Sequence, residues 1–302
     1  MDPIVRGTLI GAVALTMWST LGILTVWSGP IPPFQLVAVS FFVAFLCAVI
    51  KWTYKRESPF THFYQPLKAW VLGVFGLFGY HFLYFLALKS APAVETNLIN
   101  YIWPLLIVFF SAFLPGEKLR WYHMIGTLAG LAGTVLLVTG GKGFTFESQY
   151  TLGYMAAIGC GITWSTYSVL SRLFGGVPTD AVGWFCLAGS ILATICHLLF
   201  ETTVWPQGWE WLVLLAMGLG PAGGAFFFWD FGVKHGNIRA LGAGSYMIPL
   251  SSTLLLLMIG EGALTWVIAV ACILITGGAI LASADFLRKK KKGSTPVPVP
   301  EI

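Results

Sequence analysis

The stretch Thr96–Glu117 reads TNLINYIWPLLIVFFSAFLPGE. As far as Leu114 it is apolar enough to cross a bilayer, which takes about 20 residues of helix. It nevertheless carries Asn97, Asn100 and Pro104 within that length. The pattern recurs 145 residues later, where Tyr246-Met247-Ile248-Pro249 matches Tyr101-Ile102-Trp103-Pro104. Lys234 matches Lys89 at the same offset, and Gly260-Glu261 matches Gly116-Glu117 after a one-residue slip. Gly7…Trp18-Ser19-Thr20 likewise matches Gly153…Trp164-Ser165-Thr166 at an offset of 146. Four matches in one order mark an internal duplication.

The rest of the chain has the same apolar character. Of 302 residues, 57% are hydrophobic and 10% charged, against roughly a quarter charged in soluble domains. That excludes a soluble enzyme domain, a disulfide scaffold, a coiled coil and a disordered chain. Ten apolar stretches follow one another: Thr8–Trp27, Pro33–Trp52, Ala69–Leu88, Thr96–Leu114, Trp121–Thr139, Leu152–Ser171, Ala181–Phe200, Trp211–Val233, Arg239–Ile259 and Leu264–Ala284. They are continuously apolar, which excludes a transmembrane β-barrel. With a cytoplasmic N-terminus, fifteen of the 17 Lys and Arg residues fall on the inner side, as the positive-inside rule requires.

Five spans per copy is an odd number, so the second copy enters from the opposite side. The expected fold is an all-α polytopic membrane protein with ten transmembrane helices in two inverted five-helix repeats, a central cavity and both termini cytoplasmic. The repeats cover residues 1–141 and 142–287, and residues 288–302 form a basic, then flexible, tail. Inverted repeats suit a carrier, because exchanging the conformations of the halves turns the cavity from one side to the other.

The site is expected where polar groups interrupt the spans. Proline cannot donate to the carbonyl four residues back, so Pro104 frees that of Asn100 and Pro249 that of Ser245. Helical spacing puts Asn97, Asn100, Tyr101 and Pro104 on one face, matched by Gly242, Ser245, Tyr246 and Pro249. Such a stripe is costly against lipid and belongs against a cavity or another helix. Tyr80, His81 and Tyr84 give a second polar-aromatic face, whose counterparts Ala225, Phe226 and Trp229 are apolar. Trp18, Trp103 and Trp164 lie nearer span centres, where their faces could stack on a ring or hold an ammonium. Trp27, Trp52, Trp70, Trp121, Trp205, Trp209, Trp211 and Trp266 lie near span ends, as interface anchors do. Core packing is the competing explanation for each central aromatic, as helix packing is for the kinks.

No Asp or Glu lies at a span centre, which disfavours a proton-driven exporter of cations, and the absence of central Lys or Arg disfavours a phosphate-bearing substrate. A neutral or zwitterionic small molecule remains. Glu117 and Glu261 are expected at the N-termini of the following helices, and Asp230 with Lys234 as an i, i+4 pair near the inner surface. The five cysteines lie in apolar spans without C-x-x-C spacing, so no metal, disulfide or cofactor is expected. Ser165 or Ser19 with His81 is the one imaginable catalytic dyad, and nothing else supports an enzyme. The basic cluster is a tail, not a nucleic-acid footprint, and short loops offer little surface to protein partners.

Ten spans in two halves, each carrying a P-x(n)-G-E element (Pro104…Gly116-Glu117 and Pro249…Gly260-Glu261), resemble the drug/metabolite transporter (DMT) superfamily in its EamA-type branch. The resemblance covers about residues 5–287. Within that superfamily the aromatic centre (Trp18, Tyr80-His81, Tyr84, Tyr101, Trp103, Trp164) is most similar to the YddG-type aromatic amino-acid exporters. The resemblance implies alternating-access export of aromatic and other bulky hydrophobic amino acids across a bacterial inner membrane. The alternative is export of another neutral metabolite or drug within the same superfamily.

Overall fold

The computed structural model describes residues 1–258 and 265–285, and within them every regular element is helical. The first half holds α1 (Pro3–Ser19), α2 (Leu21–Trp27), α3 (Pro33–Lys55), α4 (Pro59–Phe63), α5 (Leu67–Val74), α6 (Tyr80–Ser90), α7 (Ala93–Asn100), α8 (Trp103–Phe110) and α9 (Trp121–Thr139). The second holds α10 (Thr151–Leu170), α11 (Ala181–Phe200), α12 (Glu210–Leu219), α13 (Ala225–His235), α14 (Ile238–Gly244), α15 (Met247–Met258) and α16 (Trp266–Ala282). Among the described residues six rods are long and apolar enough to cross a membrane: Pro3–Trp27, Pro33–Lys55, Leu67–Ser90, Ala93–Phe113, Trp121–Thr139 and Ala181–Phe200. α12 and α16 are shorter apolar helices. The long helix α10 is richer in Gly, Ser and Thr, and more than half of its residues are buried by protein.

Chemistry accounts for the interruptions. α7 ends at Asn100 and α8 starts at Trp103, one turn before the missing N–H of Pro104 takes effect; Tyr101 N–H still donates to Asn97 O at 2.9 Å. The break between α14 and α15 falls at Ser245-Tyr246, ahead of Pro249. α5 continues into α6 through a π-helical turn, Phe75–Gly79. Sequence reading expected the eighth span to run unbroken from Trp211 to Val233. Instead it parts into α12 and α13 at Gly220-Pro221-Ala222-Gly223-Gly224, where Pro221 lacks a donor and a Cβ on Gly223 would lie 2.0 Å from the Gly218 carbonyl oxygen.

Small residues set the packing, as they do where lipid supplies no hydrophobic drive between helices. α1 lies along α13, and a Cβ on Gly232 would come within 2.4 Å of Gly11 Cα. A Cβ on Gly7 would sit 2.6 Å from the His235 carbonyl carbon, and one on Gly153 would sit 2.5 Å from Ala91 Cβ. α3 packs on α11 and α9 on α16. One buried cluster runs through the middle, joining Trp103, Ile107, Trp164, Phe226 and Trp229. Leu198, Leu199 and Ile273 face outward at about 70% exposure.

Two expectations change here. Trp52 is no interface anchor: it is fully buried, with its ring 5.1 Å from His62, stacked, and 6.1 Å from Trp184. The short helix α4, between the second and third apolar stretches, brings His62 there. Trp27, Trp121, Trp205, Trp209, Trp211 and Trp266 are exposed as anchors should be. Glu117 turns to two cations, with Arg172 Nη2 at 3.3 Å and Arg239 Nη2 at 2.8 Å, because those guanidiniums are partly buried and need a counter-ion more than a helix end does. Glu261, the Arg288–Lys292 cluster and the tail lie outside the described residues.

Candidate functional site

The end of α1, the break between α7 and α8 and the turn between α12 and α13 meet at one aromatic cluster. Trp18, at the end of α1, lies 5.5 Å from Trp164, 5.1 Å from Trp229 and 6.4 Å from Trp103, ring centre to ring centre. Trp164 and Trp229 stack at 6.0 Å, and Trp103 meets Trp229 edge-on at 6.1 Å. Such edge and offset geometries are those that ring quadrupoles favour. Hydrogen bonds fix the orientations. Trp18 Nε1 donates to the Pro221 carbonyl at 3.0 Å, in the turn between α12 and α13. Trp229 Nε1 donates to Ser168 Oγ at 3.0 Å.

A polar face adjoins the cluster. Tyr80 packs 5.4 Å from Trp164 and stacks on Tyr84 at 6.1 Å. Asn100 Nδ2 donates to Tyr80 Oη at 3.2 Å, and Tyr84 Oη donates to Asn97 Oδ1 at 2.7 Å. These two rungs tie α6 to α7, and Asn100 Oδ1 is left buried without a protein partner. His81 Nδ1–H donates to the Leu77 carbonyl at 2.7 Å, and its ring meets Phe41 and Phe226 edge-on. Trp18, Tyr80, His81, Tyr84, Asn97 and Tyr101 are half-buried, while Trp103, Trp164 and Asn100 are buried.

The structure therefore brings nine of the sequence-predicted residues together: Trp18, Tyr80, His81, Tyr84, Asn97, Asn100, Tyr101, Trp103 and Trp164. It places Ser245 and Tyr246 elsewhere. Tyr246 is fully buried with Leu250, Ala271 and Ile275, its ring against Gly130. Ser245 Oγ donates to the Leu241 carbonyl at 2.8 Å. Trp229, Phe226 and Ser168 were not among the predicted site residues. The repeat offset already matched Trp229 to Tyr84 and Phe226 to His81, and that was the signal to follow.

No dyad forms from the candidates considered. Ser165 Oγ donates to the Trp103 and Gly161 carbonyls at 3.0 and 2.6 Å, and Ser19 Oγ to Leu15 O at 2.9 Å. The site offers stacking surfaces, amides and hydroxyls, and no formal charge.

Interrupted apolar helices around an uncharged aromatic and amide-lined centre make this a multi-pass membrane transporter. The EamA-like transporter family matches residues 5–139 and again residues 151–284, and the chain belongs to it. Among curated relatives, the aromatic amino acid exporter YddG of Ancylobacter novellus is 50% identical over 277 residues, 91% of this chain and 96% of that protein. The aromatic amino acid exporter YddG of Escherichia coli is 24% identical, with the same coverage of 91% and 96%. A crystal structure of a protein 48% identical in sequence matches with a TM-score of 0.88, covering 92% of this chain and 98% of that one.

Proposed function

We propose that the protein is a bacterial inner-membrane carrier exporting aromatic and other bulky hydrophobic amino acids by alternating access. The observation that carries it is the uncharged centre: four tryptophans and two Tyr–Asn pairs gathered at interrupted helices. Rings stack on the indoles. A zwitterion has no net charge, so hydroxyls, amides and loosened backbone can hold its head without the cost of an unpaired central ion. The 50% identical relative carries the name of an aromatic amino acid exporter.

The architecture proposed with it has ten spans: α1 with α2, α3, α5 with α6, α7 with α8, α9, α10, α11, α12 with α13, α14 with α15, and α16. Residues 1–141 and 142–287 form inverted repeats with both termini cytoplasmic. Two close contacts support this. Gly7 meets His235-Gly236, and Gly153 meets Ser90-Ala91; the repeat offset carries Gly7 to Gly153 and Ser90-Ala91 to His235-Gly236, so exchanging the halves turns one contact into the other. The family's matching twice along the chain agrees. Pro104 and Pro249 supply the kinks in matching helices, while Ser245 and Tyr246 seat the second kink against α9 and α16.

The test is counterflow of labelled tryptophan in proteoliposomes, with a panel of amino acids and neutral drugs as competitors. Competition by phenylalanine, tyrosine and leucine but not by aspartate or lysine is expected. Absence of counterflow rejects the proposal, and competition by neutral drugs but not amino acids replaces it with export of another neutral metabolite.

A further inference from the structure

The ion pair Asp230–Lys234, expected near the surface, is buried. Asp230 Oδ2 and Lys234 Nζ are 2.8 Å apart, with side chains 3% and 4% exposed. Thr179 Oγ1 donates to Asp230 Oδ2 at 2.6 Å, and Lys234 Nζ donates to the Val177 carbonyl at 2.9 Å. Other pairs on this lysine- and arginine-rich face, such as Lys51–Asp180 and Arg120–Asp285, hold far more exposed cations. Burying two ions costs several kcal/mol each, and an apolar pair of like volume is often as stable. Folding alone therefore does not call for these charges.

Their position suggests what does. Asp230 and Lys234 line a small cleft with Tyr167, Ser171, Phe174 and Phe185. Its volume is about 10 Å³, room for no more than a water molecule. The cleft leads toward the central cluster: Asp230 follows Trp229 in α13, and the Tyr167 ring is 5.4 Å from Trp164. Three rings and one dipolar ion pair thus line a cleft that touches the tryptophan cluster through Tyr167. The neighbouring cation Arg172 is occupied, donating to the Val233 and Gly236 carbonyls and pairing with Glu117.

We infer that Asp230 and Lys234 form a loading subsite for the zwitterionic head of the amino acid, with Tyr167, Phe174 and Phe185 receiving its ring before transfer to the central cluster. The subsite rests on the amino-acid export proposed above. As the 175–180 segment withdraws, the substrate ammonium takes the place of Lys234 on Asp230, and its carboxylate takes the place of Asp230 on Lys234. No charge is left unpaired during the exchange, which an amine or an acid alone cannot achieve. Amino acids are thereby selected at the entrance, and an uncharged centre suffices afterwards.

The experiment compares tryptophan, tryptamine and indole-3-propionate as competitors of tryptophan counterflow, added at the cytoplasmic face. Wild-type protein should take tryptophan at least tenfold better than either analogue. Lys234→Met should improve tryptamine relative to tryptophan about tenfold and leave indole-3-propionate poor, and Asp230→Asn should reverse that order. Either single variant leaves a lone buried charge and can fail to fold, so the neutral double variant Asp230→Asn/Lys234→Met is measured too. It should rank the three ligands nearly alike. Parallel weakening of all three ligands, or wild-type ranking in the double variant, overturns the subsite. Absence of tryptophan counterflow in the wild type would be failure of the export proposal itself, a distinct result.

Discussion

In the proposed site, Asn100 is expected to carry more of the chemistry than its size suggests. It is 6% exposed, gives one amide hydrogen to Tyr80 and keeps its carbonyl oxygen without a protein partner. A buried amide that is half satisfied contributes little to stability. Asn100→Leu should therefore change unfolding by about 1 kcal/mol or less, yet raise the half-saturation concentration for tryptophan at least tenfold. A Tm scan beside a counterflow titration separates the two effects, and unchanged affinity would place the substrate head elsewhere. Trp164 behaves differently, because it is 4% exposed and touches the rings of Trp18, Tyr80, Tyr167 and Trp229. Truncating it to alanine should cost roughly 3–5 kcal/mol, which confounds a transport assay. Trp164→Phe keeps a ring at smaller cost and should lower tryptophan transport several-fold in folded protein. Wild-type rates in that variant would mean that the indole only fills space.

At the scale of elements, interruptions matter more than lengths. Restoring a donor with Pro104→Ala lets the residue 104 N–H reach the Asn100 carbonyl and join α7 to α8. The expected result is a Tm no lower than wild type with transport reduced at least tenfold; unchanged transport would make the kink a packing feature alone. The apolar runs, the duplication and the breaks ahead of Pro104 and Pro249 were legible because each leaves a local mark: length, offset or a missing donor. The break at residues 220–224 was hidden, since Gly-Pro-Ala-Gly-Gly is as apolar as its flanks and proline is common in membrane helices. The gathering of polar residues in the candidate site was legible where polarity stood out, at Tyr80, Tyr84, Asn97 and Asn100. It was illegible where a tryptophan among apolar residues, Trp229, is separated from a packing tryptophan only by three-dimensional neighbours. Tyr246 is the converse case: its motif matches Tyr101, but the ring packs apart from the tryptophans, in a hollow that Gly130 leaves on α9. Periodicity places a residue on a face and does not say what that face meets.

Across the whole molecule, the described ion pairs gather on the face carrying residues 51–62, 117–123, 172–180 and 234–239, save His197–Glu201, which lies apart from them. Beyond the α16 helix, burial pushes the Asp285 carboxyl up, but the Tyr122 hydroxyl, Arg120, His123 and Arg239 hold it below its ordinary value on balance. A lowered folded-state value means that this stabilisation is present above the unfolded carboxylate pKa and fades as pH falls through the folded one. Asp285→Asn should thus cost about 1 kcal/mol or less near neutrality and flatten the acid limb of the Tm profile. Glu117 has the wider reach, because one carboxylate bridges Arg172, which follows α10, and Arg239 in α14, at 3.3 and 2.8 Å. Arg172 in turn clasps the end of α13 through two carbonyls. Glu117→Gln keeps the shape and removes the charge, leaving two guanidiniums, 26% and 14% exposed, facing each other without a counter-ion. A penalty of about 1.4 kcal/mol borne only by the closed face would shift the open population tenfold. In a background without the five cysteines, Ser171→Cys reports that opening through its labelling by an impermeant maleimide from the basic side. Glu117→Gln should speed the labelling about tenfold while Tm falls by a few degrees, whereas a lower Tm with unchanged labelling would make the bridge a fastening of the fold and not a latch on its cycle.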